Sequence, residues 1–179
     1  MIAAGSAGTS CIERSIYDKI HCVNHRAELK SIDLFSGAGL LGYSFKEFGV
    51  RTALAVEADP RARATFMANV GADAMGADVR DVHSDVCADL LLAGPPCQGF
   101  STLGKRDHFD ERNALSLCIA DWAATGNPTV VVVENVPPFL KSRFWRTLKR
   151  RMRNQGYESA EWILNAADFG APQLRMRAF

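Results

Sequence analysis

A chain of 179 residues, 47% of them apolar and 23% charged, is long enough to bury one core and too mixed in composition to be disordered or fibrous. No apolar run approaches the ~20 residues that cross a bilayer, and residues 1–10 lack the charged start and apolar stretch of a secretory signal. The formal net charge is +1, so the chain as a whole is no obvious polyanion binder. Its cysteines (Cys11, Cys22, Cys87, Cys97 and Cys118) show no paired spacing, which points to reduced thiols in a cytoplasmic protein rather than a disulfide framework.

Residues 10–23 read as a short helix: Ser10 and Glu13 stand at capping-box spacing, and Ile12, Ile16 and Ile20 recur every four residues. Residues 24–30 form a polar connector. His21, Cys22 and His25 lie close together, but with Cys11 as the one further candidate they match no zinc pattern, and no metal is expected. A strand over 31–35 leads through Ser36-Gly37-Ala38-Gly39-Leu40-Leu41-Gly42 into a helix at about 43–48. A second strand, 52–56, ends at Glu57. Asp59 and Pro60 then make an N-cap and first-turn proline for a helix to about Val70. A weak third strand precedes Asp78-Val79-Arg80, and a fourth covers 89–93.

Residues 114–124 are predicted helical. Pro128 opens Thr129-Val130-Val131-Val132-Val133, whose β-branching predicts a strand buried on both faces. A helix over 142–155 and a strand over 157–164 complete the pattern. Strands alternating with helices, without repeats or low-complexity linkers, predict an α/β fold with a doubly wound, mostly parallel sheet.

Four stretches carry chemistry. Gly37-x-Gly39-x-x-Gly42 follows a strand and opens a helix, and Glu57 stands where a ribose-binding acid belongs. Any adenosine cofactor needs those features, so the loop alone does not separate NAD from S-adenosylmethionine. Asp89 to Ala93 drives into Gly94-Pro95-Pro96, where no ladder can continue, so Cys97 is presented on a loop at the carboxyl end of a strand. In open α/β sheets ligands bind at that edge. Glu134 ends the valine strand, and neighbouring parallel strands finish at the same edge, so Glu134 and Cys97 are expected in one cleft. Arg175 and Arg177 alternate and would project from one face of a strand.

Asp33-Leu34-Phe35-Ser36-Gly37-Ala38-Gly39, Pro95-Pro96-Cys97-Gln98-Gly99-Phe100-Ser101, Glu134-Asn135-Val136 and Gln173-Leu174-Arg175-Met176-Arg177, in this order, closely resemble the motifs of the cytosine-C5 DNA methyltransferase family. The resemblance covers about residues 31–179. It implies a Rossmann-like S-adenosylmethionine-dependent methyltransferase fold and methyl transfer to carbon 5 of cytosine in double-stranded DNA. Cys97 is then the nucleophile that adds to carbon 6 of a flipped base. Glu134 hydrogen-bonds the ring nitrogen and exocyclic amine, and Arg175 and Arg177 position the base. Phe35 is carried onto the adenine face of the cofactor, Glu57 with Ala58 onto the ribose, and Asp78 with Val79 onto the adenine edge. Ser36, Gly37, Gly39 and Leu40 face the methionine portion, with Pro95 and Leu115 nearby. Gln98, Ser101, Lys105, Arg106, Asn135, Val136 and Gln173 are expected around the substrate.

The chain departs from the family at Leu40, where a further glycine is usual; a side chain there would crowd the cofactor. The family's chain also continues past the double-arginine motif. Residues 1–30 are therefore read as a helix and connector, and residues 31–179 as a C-terminally truncated catalytic domain without its target-recognition domain. That leaves the valine strand as an open sheet edge. It suggests a fragment, or one subunit of a split enzyme completed by a second polypeptide. A non-catalytic S-adenosylmethionine-binding regulatory partner and an RNA methyltransferase are the competing readings. An NAD-dependent oxidoreductase is more distant, because it leaves Pro95-Pro96-Cys97-Gln98 unexplained. The segment 142–153 sets Arg143, Arg146, Arg150 and Arg153 opposite Phe144, Leu148 and Met152, either a solvated helix side or a phosphate-binding or partner surface.

Overall fold

The computed structural model describes residues 28–82, 84, 86–96 and 111–179, without the side chains of 111–113. The predicted helix over 10–23, the His21, Cys22 and His25 group, and Cys97, Gln98, Ser101, Lys105 and Arg106 lie outside the described residues. Strands β1 (Lys30–Leu34), β2 (Arg51–Val56), β3 (Ala74–Met75), β4 (Leu90–Ala93) and β5 (Val130–Val133) form one sheet in the order β3-β2-β1-β4-β5, every pair parallel. The helices are α1 (Leu40–Lys46), α2 (Pro60–Val70), α3 (Cys118–Gly126) and α4 (Arg143–Asn154). Glu111–Leu117 is a 3-10 segment, so the expected helix over 114–124 is α-helical only from Cys118.

Alternation along the strands sorts side chains between two layers. Ile32, Leu34, Leu91, Ala93 and Val131 pack with Ile119, Ala123, Trp145 and Leu148 of α3 and α4. On the opposite face Leu90, Leu92 and Val132 meet Leu41 and Phe45 of α1, while Ala55 meets Phe66 and Val70 of α2. Helices on both faces make the sheet doubly wound, as expected.

Local chemistry sets the helix starts. Asp59 Oδ1 accepts hydrogen bonds from the backbone N–H groups of Arg61 and Ala62 at 2.8 and 2.9 Å, ahead of Pro60 in the first turn. Those two donors hold the Asp59 carboxyl below its ordinary range. Ser142 Oγ accepts from Trp145 N at 3.1 Å and starts α4 in the same way.

Two expectations need correction. The valine strand is not buried on both faces: Val130 to Val133 are all half-buried. Among the described residues β5 pairs only with β4, so its outer edge opens into a groove of about 530 Å³ with Trp145, Met152 and Trp162 in its walls. The strand predicted over 157–164 shrinks to β6 (Ile163–Asn165). It pairs antiparallel with β7 (Met176–Ala178) in a separate two-stranded sheet. Proximity in space to β7, rather than propensity across 157–162, selects which of those residues extend.

Candidate active site

Among the described residues, a cleft of about 540 Å³ brings together three separate parts of the chain. The β1–α1 loop contributes Phe35, Ser36, Gly37 and Leu40. The ends of β4 and β5 contribute Gly94 and Glu134, and the C-terminal hairpin contributes Phe169, Arg175, Arg177 and Phe179.

The loop is tightly folded. Phe35, Gly37 and Gly39 have φ of 54°, 55° and 91°, and the first of these is a left-handed conformation that a phenylalanine rarely adopts. At Gly39 a Cβ would come within 2.8 Å of Val70 Cγ2, so glycine is required there by both dihedral and space. Glu57 fastens the loop: its Oε2 accepts from Gly37 N and its Oε1 from Asp59 N, both at 2.8 Å. The acid expected on a ribose therefore already ties two turns together.

Asp33 forms the floor beneath this loop. It lies between the apolar Ile32 and Leu34, so it faces α1, and only 1% of it is exposed. Among the described residues its Oδ2 has no hydrogen-bond partner, nor has the buried Oγ of Ser36. Burial, reinforced by the negative charge of Glu57, raises the Asp33 pKa to about 7 against a small opposing pull from the Gly42 N–H. Sequence reasoning gave Asp33 no role. Its signals in the sequence were its place at the head of the Asp33-Leu34-Phe35-Ser36-Gly37-Ala38-Gly39 stretch and its position as an acid between Ile32 and Leu34 of β1.

At the other side of the cleft, Glu134 N donates to Ala93 O at 2.9 Å, which sets the end of β5 beside that of β4. Asn135 and Ala178 bridge through 2.9 and 2.8 Å backbone hydrogen bonds, clipping β7 onto the strand end. Arg177 Nε then lies 2.8 Å from Glu134 Oε1, with both side chains largely buried. Arg175 and Arg177 both line the cleft, Arg177 from β7 and Arg175 from the position just before that strand.

Several expected residues sit elsewhere. Asn135 is 3% exposed, and its Nδ2 donates to Pro95 O at 3.1 Å, so its amide braces the two strand ends instead of facing a substrate. Pro95 is buried in that brace, and Val136 packs into the core. Asp78 is gripped by the Arg80 guanidinium, with hydrogen bonds of 2.9 and 2.7 Å, which holds its carboxyl below the usual range. Val79 is buried and its carbonyl accepts from Trp122 Nε1 at 3.0 Å. Gly39, Glu57, Ala58, Leu115 and Gln173 are also absent from the described cleft wall. Gly39 is covered by α2, Glu57 is held by backbone donors, and Gln173 sits exposed in the β6–β7 connection.

A family model for C-5 cytosine-specific DNA methylases matches residues 29–179. The chain belongs to the C-5 cytosine-specific DNA methylase family. It is 37% identical over 161 residues to the Type II methyltransferase M.DdeI of Desulfomicrobium norvegicum, an alignment spanning 83% of this chain and 39% of that protein. It is 33% identical over 175 residues to the Type II methyltransferase M.AquIA of Picosynechococcus sp., spanning 85% of this chain and 71% of the relative. A crystal structure of a DNA modification methyltransferase encoded within an E. coli prophage superposes with a TM-score of 0.70 at 29% identity, covering 84% of this chain and 45% of that one. The chain spans between 38% and 49% of the length of the first three curated relatives it matches.

The cleft fits an adenosylated, positively charged cofactor. Two buried polar atoms on its floor lack partners among the described residues, an acid there can offset a cation, and the glycine turns let a ligand approach the backbone.

Proposed function

We propose that this chain is the cofactor-binding and catalytic portion of a DNA cytosine-C5 methyltransferase that uses S-adenosylmethionine and a covalent Cys97 adduct on a flipped base. The observation that carries the reading is the Glu134–Arg177 pair in the same cleft as the β1–α1 loop. An acid and a guanidinium held at one edge can grip the polar rim of a pyrimidine. Backbone turns and a buried acid next to them can hold the methyl donor.

Phe35, Ser36, Gly37 and Leu40 would hold the cofactor, with Asp33 and Ser36 offering the free polar atoms. When bound, it supplies an electrophilic methyl group. Carbon 5 of cytosine is a poor nucleophile until a thiolate adds to carbon 6. Cys97 follows Pro96 directly in sequence and would make that carbon–sulfur bond. Glu134 would hydrogen-bond the ring nitrogen and exocyclic amine as charge develops, and Arg177 keeps its carboxylate in place. After methyl transfer, loss of the carbon 5 proton and expulsion of the thiolate restore the ring.

Cys97, Gln98, Ser101, Lys105 and Arg106 belong to a segment we assign to the extruded base and its phosphates. Protein–DNA specificity needs contacts to base edges, which we assign to polypeptide beyond residues 1–179. The outer edge of β5, unpaired among the described residues, and the partial span of the relatives favour further strands there, from a continuation of the chain or from a second polypeptide. By kinship with Type II enzymes, the setting would be restriction–modification, in the cytoplasm and on the nucleoid.

The test is trapping with duplex DNA containing 5-fluorocytosine, which has no carbon 5 proton to lose. A stable protein–DNA adduct that needs cofactor and disappears in Cys97→Ser supports the reading. Cofactor binding with no adduct, even with the complementary C-terminal polypeptide added, favours the regulatory-partner reading. An adduct on RNA alone favours the RNA one.

A further inference from the structure

Helix α4 (Arg143–Asn154) carries a charge pattern that the cleft chemistry does not use. No acid occurs between Asn135 and Tyr157, although the chain has 20 Asp and Glu in 179 residues and a stretch of that length would ordinarily hold about two or three. The helix buries Phe144, Trp145 and Leu148 against the sheet. At 100° per residue, Arg143, Arg146, Arg150 and Arg153 fall on the opposite, solvent side.

Neighbouring acids neutralise other cations of the same helix. Lys149 pairs with Glu161, and Arg151 pairs with Asp121 at 3.0 Å. Burial would push the Glu161 carboxyl up, but hydrogen bonds from Lys149 and Trp145 outweigh it and hold it below its ordinary range. Among the described residues Arg146 reaches only the Lys141 carbonyl, at 3.2 Å. The exposed side chains of Arg150 and Arg153 form no hydrogen bond or ion pair among the described residues. Three guanidinium groups with no acidic partner among the described residues thus stand in one row.

We propose that the Arg146–Arg150–Arg153 row of α4 is a second DNA contact, gripping the phosphate backbone of duplex outside the catalytic cleft without regard to sequence. The row spans ~10 Å along the helix axis, comparable to three nucleotide steps of ~3.4 Å on one strand. All three are arginines, whose planar fork suits phosphate oxygens better than an ammonium does. The helix starts eight residues after Glu134, at Ser142, and the preceding turn (Pro137–Lys141) packs on β7 beside the cleft. The row therefore leads away from the rim, where flanking DNA can be held while a base is engaged. A chain with a formal charge of only +1 gains an attachment surface by concentrating its cations in this way. The choice of DNA over other polyanions rests on the proposed function; the row itself does not depend on Cys97 or the cofactor.

The test measures Kd of the full chain for a 30-base-pair duplex of arbitrary sequence against salt concentration. Arg150→Ala/Arg153→Ala and the triple variant with Arg146→Ala are compared with the parent, and circular dichroism checks the fold. The slope of log Kd against log salt should fall by about 0.9 for each phosphate no longer neutralised, so by about 2 to 3 in the triple variant, equally on unrelated sequences. Unchanged slopes, or a parent chain that binds no duplex, overturn the proposal. So does a row that binds polyglutamate more tightly than the duplex, which would make it a surface for an acidic protein. The 5-fluorocytosine adduct is read separately, so loss of the row with adduct retained, or the reverse, shows which of the two readings has failed.

Discussion

Asn135 and Ala178 bridge through a pair of backbone hydrogen bonds at 2.9 and 2.8 Å, and this clip aims Arg177 at Glu134. The two residues are 43 positions apart in sequence. Their contact turns a strand end and a C-terminal hairpin into one wall of the cleft, with the Asn135 amide reaching across to Pro95 O at 3.1 Å. The acid and the guanidinium are positioned by main chain rather than by their own flexible stems.

The Glu134–Arg177 pair, 22% and 30% exposed on the arginine and glutamate side chains, is expected to stabilise the hairpin modestly. A double-mutant cycle with Glu134→Gln and Arg177→Gln, read by urea unfolding, should give a coupling of about 1 kcal/mol, above that of an open surface pair. In the proposed reaction each single variant should slow adduct formation by ~10²-fold or more while leaving cofactor affinity within about threefold. Loss of cofactor binding in parallel would make the pair a structural clip alone.

Gly42 sits against the floor of the loop. A Cβ there would lie 2.6 Å from Asp33 Oδ2 and 3.3 Å from Phe66 Cε2, so Gly42→Ala should cost about 2–3 kcal/mol by overpacking. Adding Asp33→Ala removes the closest clash and should recover part of that cost. A Gly42→Ala variant with an unchanged denaturation midpoint would contradict this packing.

Asp33 makes stability depend on pH in a definite sense. Its carboxyl titrates near 3.8 in the unfolded chain and at about 7 in the native one, chiefly through burial and then through Glu57. The native state keeps this proton over a window in which the unfolded chain has released it. The stability it confers is complete below pH ~4 and is lost as the pH rises through about 7. Between pH 5 and pH 8 the parent should lose ~2–4 kcal/mol more than Asp33→Asn does, as measured by urea unfolding at each pH. Parallel pH profiles for the two proteins would show that Asp33 does not titrate in this range.

Leu40 occupies the first turn of α1, is 78% exposed and lines the cleft. Replacing it with glycine opens the mouth, and S-adenosylmethionine affinity measured by titration calorimetry should improve about three- to tenfold. The same change should cost about 0.5–1 kcal/mol of stability, from the lower helix propensity of glycine. Weaker binding in Leu40→Gly would instead make the leucine a ligand contact.

The sequence alone determined the alternating strands and helices, the parallel sheet with its layers on both faces, and the sheet edge at which Glu134 ends its strand. It could do so because these rest on periodicity, on Gly-Pro-Pro and Asp-Pro punctuation, and on the common polarity of parallel strands, all local properties. Only the tertiary structure decided that Glu57 is engaged by Gly37 and Asp59, that Asn135 braces Pro95, and that Asp33 Oδ2 lies beneath the loop without a hydrogen-bond partner among the described residues. It also decided that the four valines are each half-buried rather than buried on both faces. Each of these depends on which distant backbone group or neighbouring strand arrives beside the residue. No local pattern in the chain encodes that arrival.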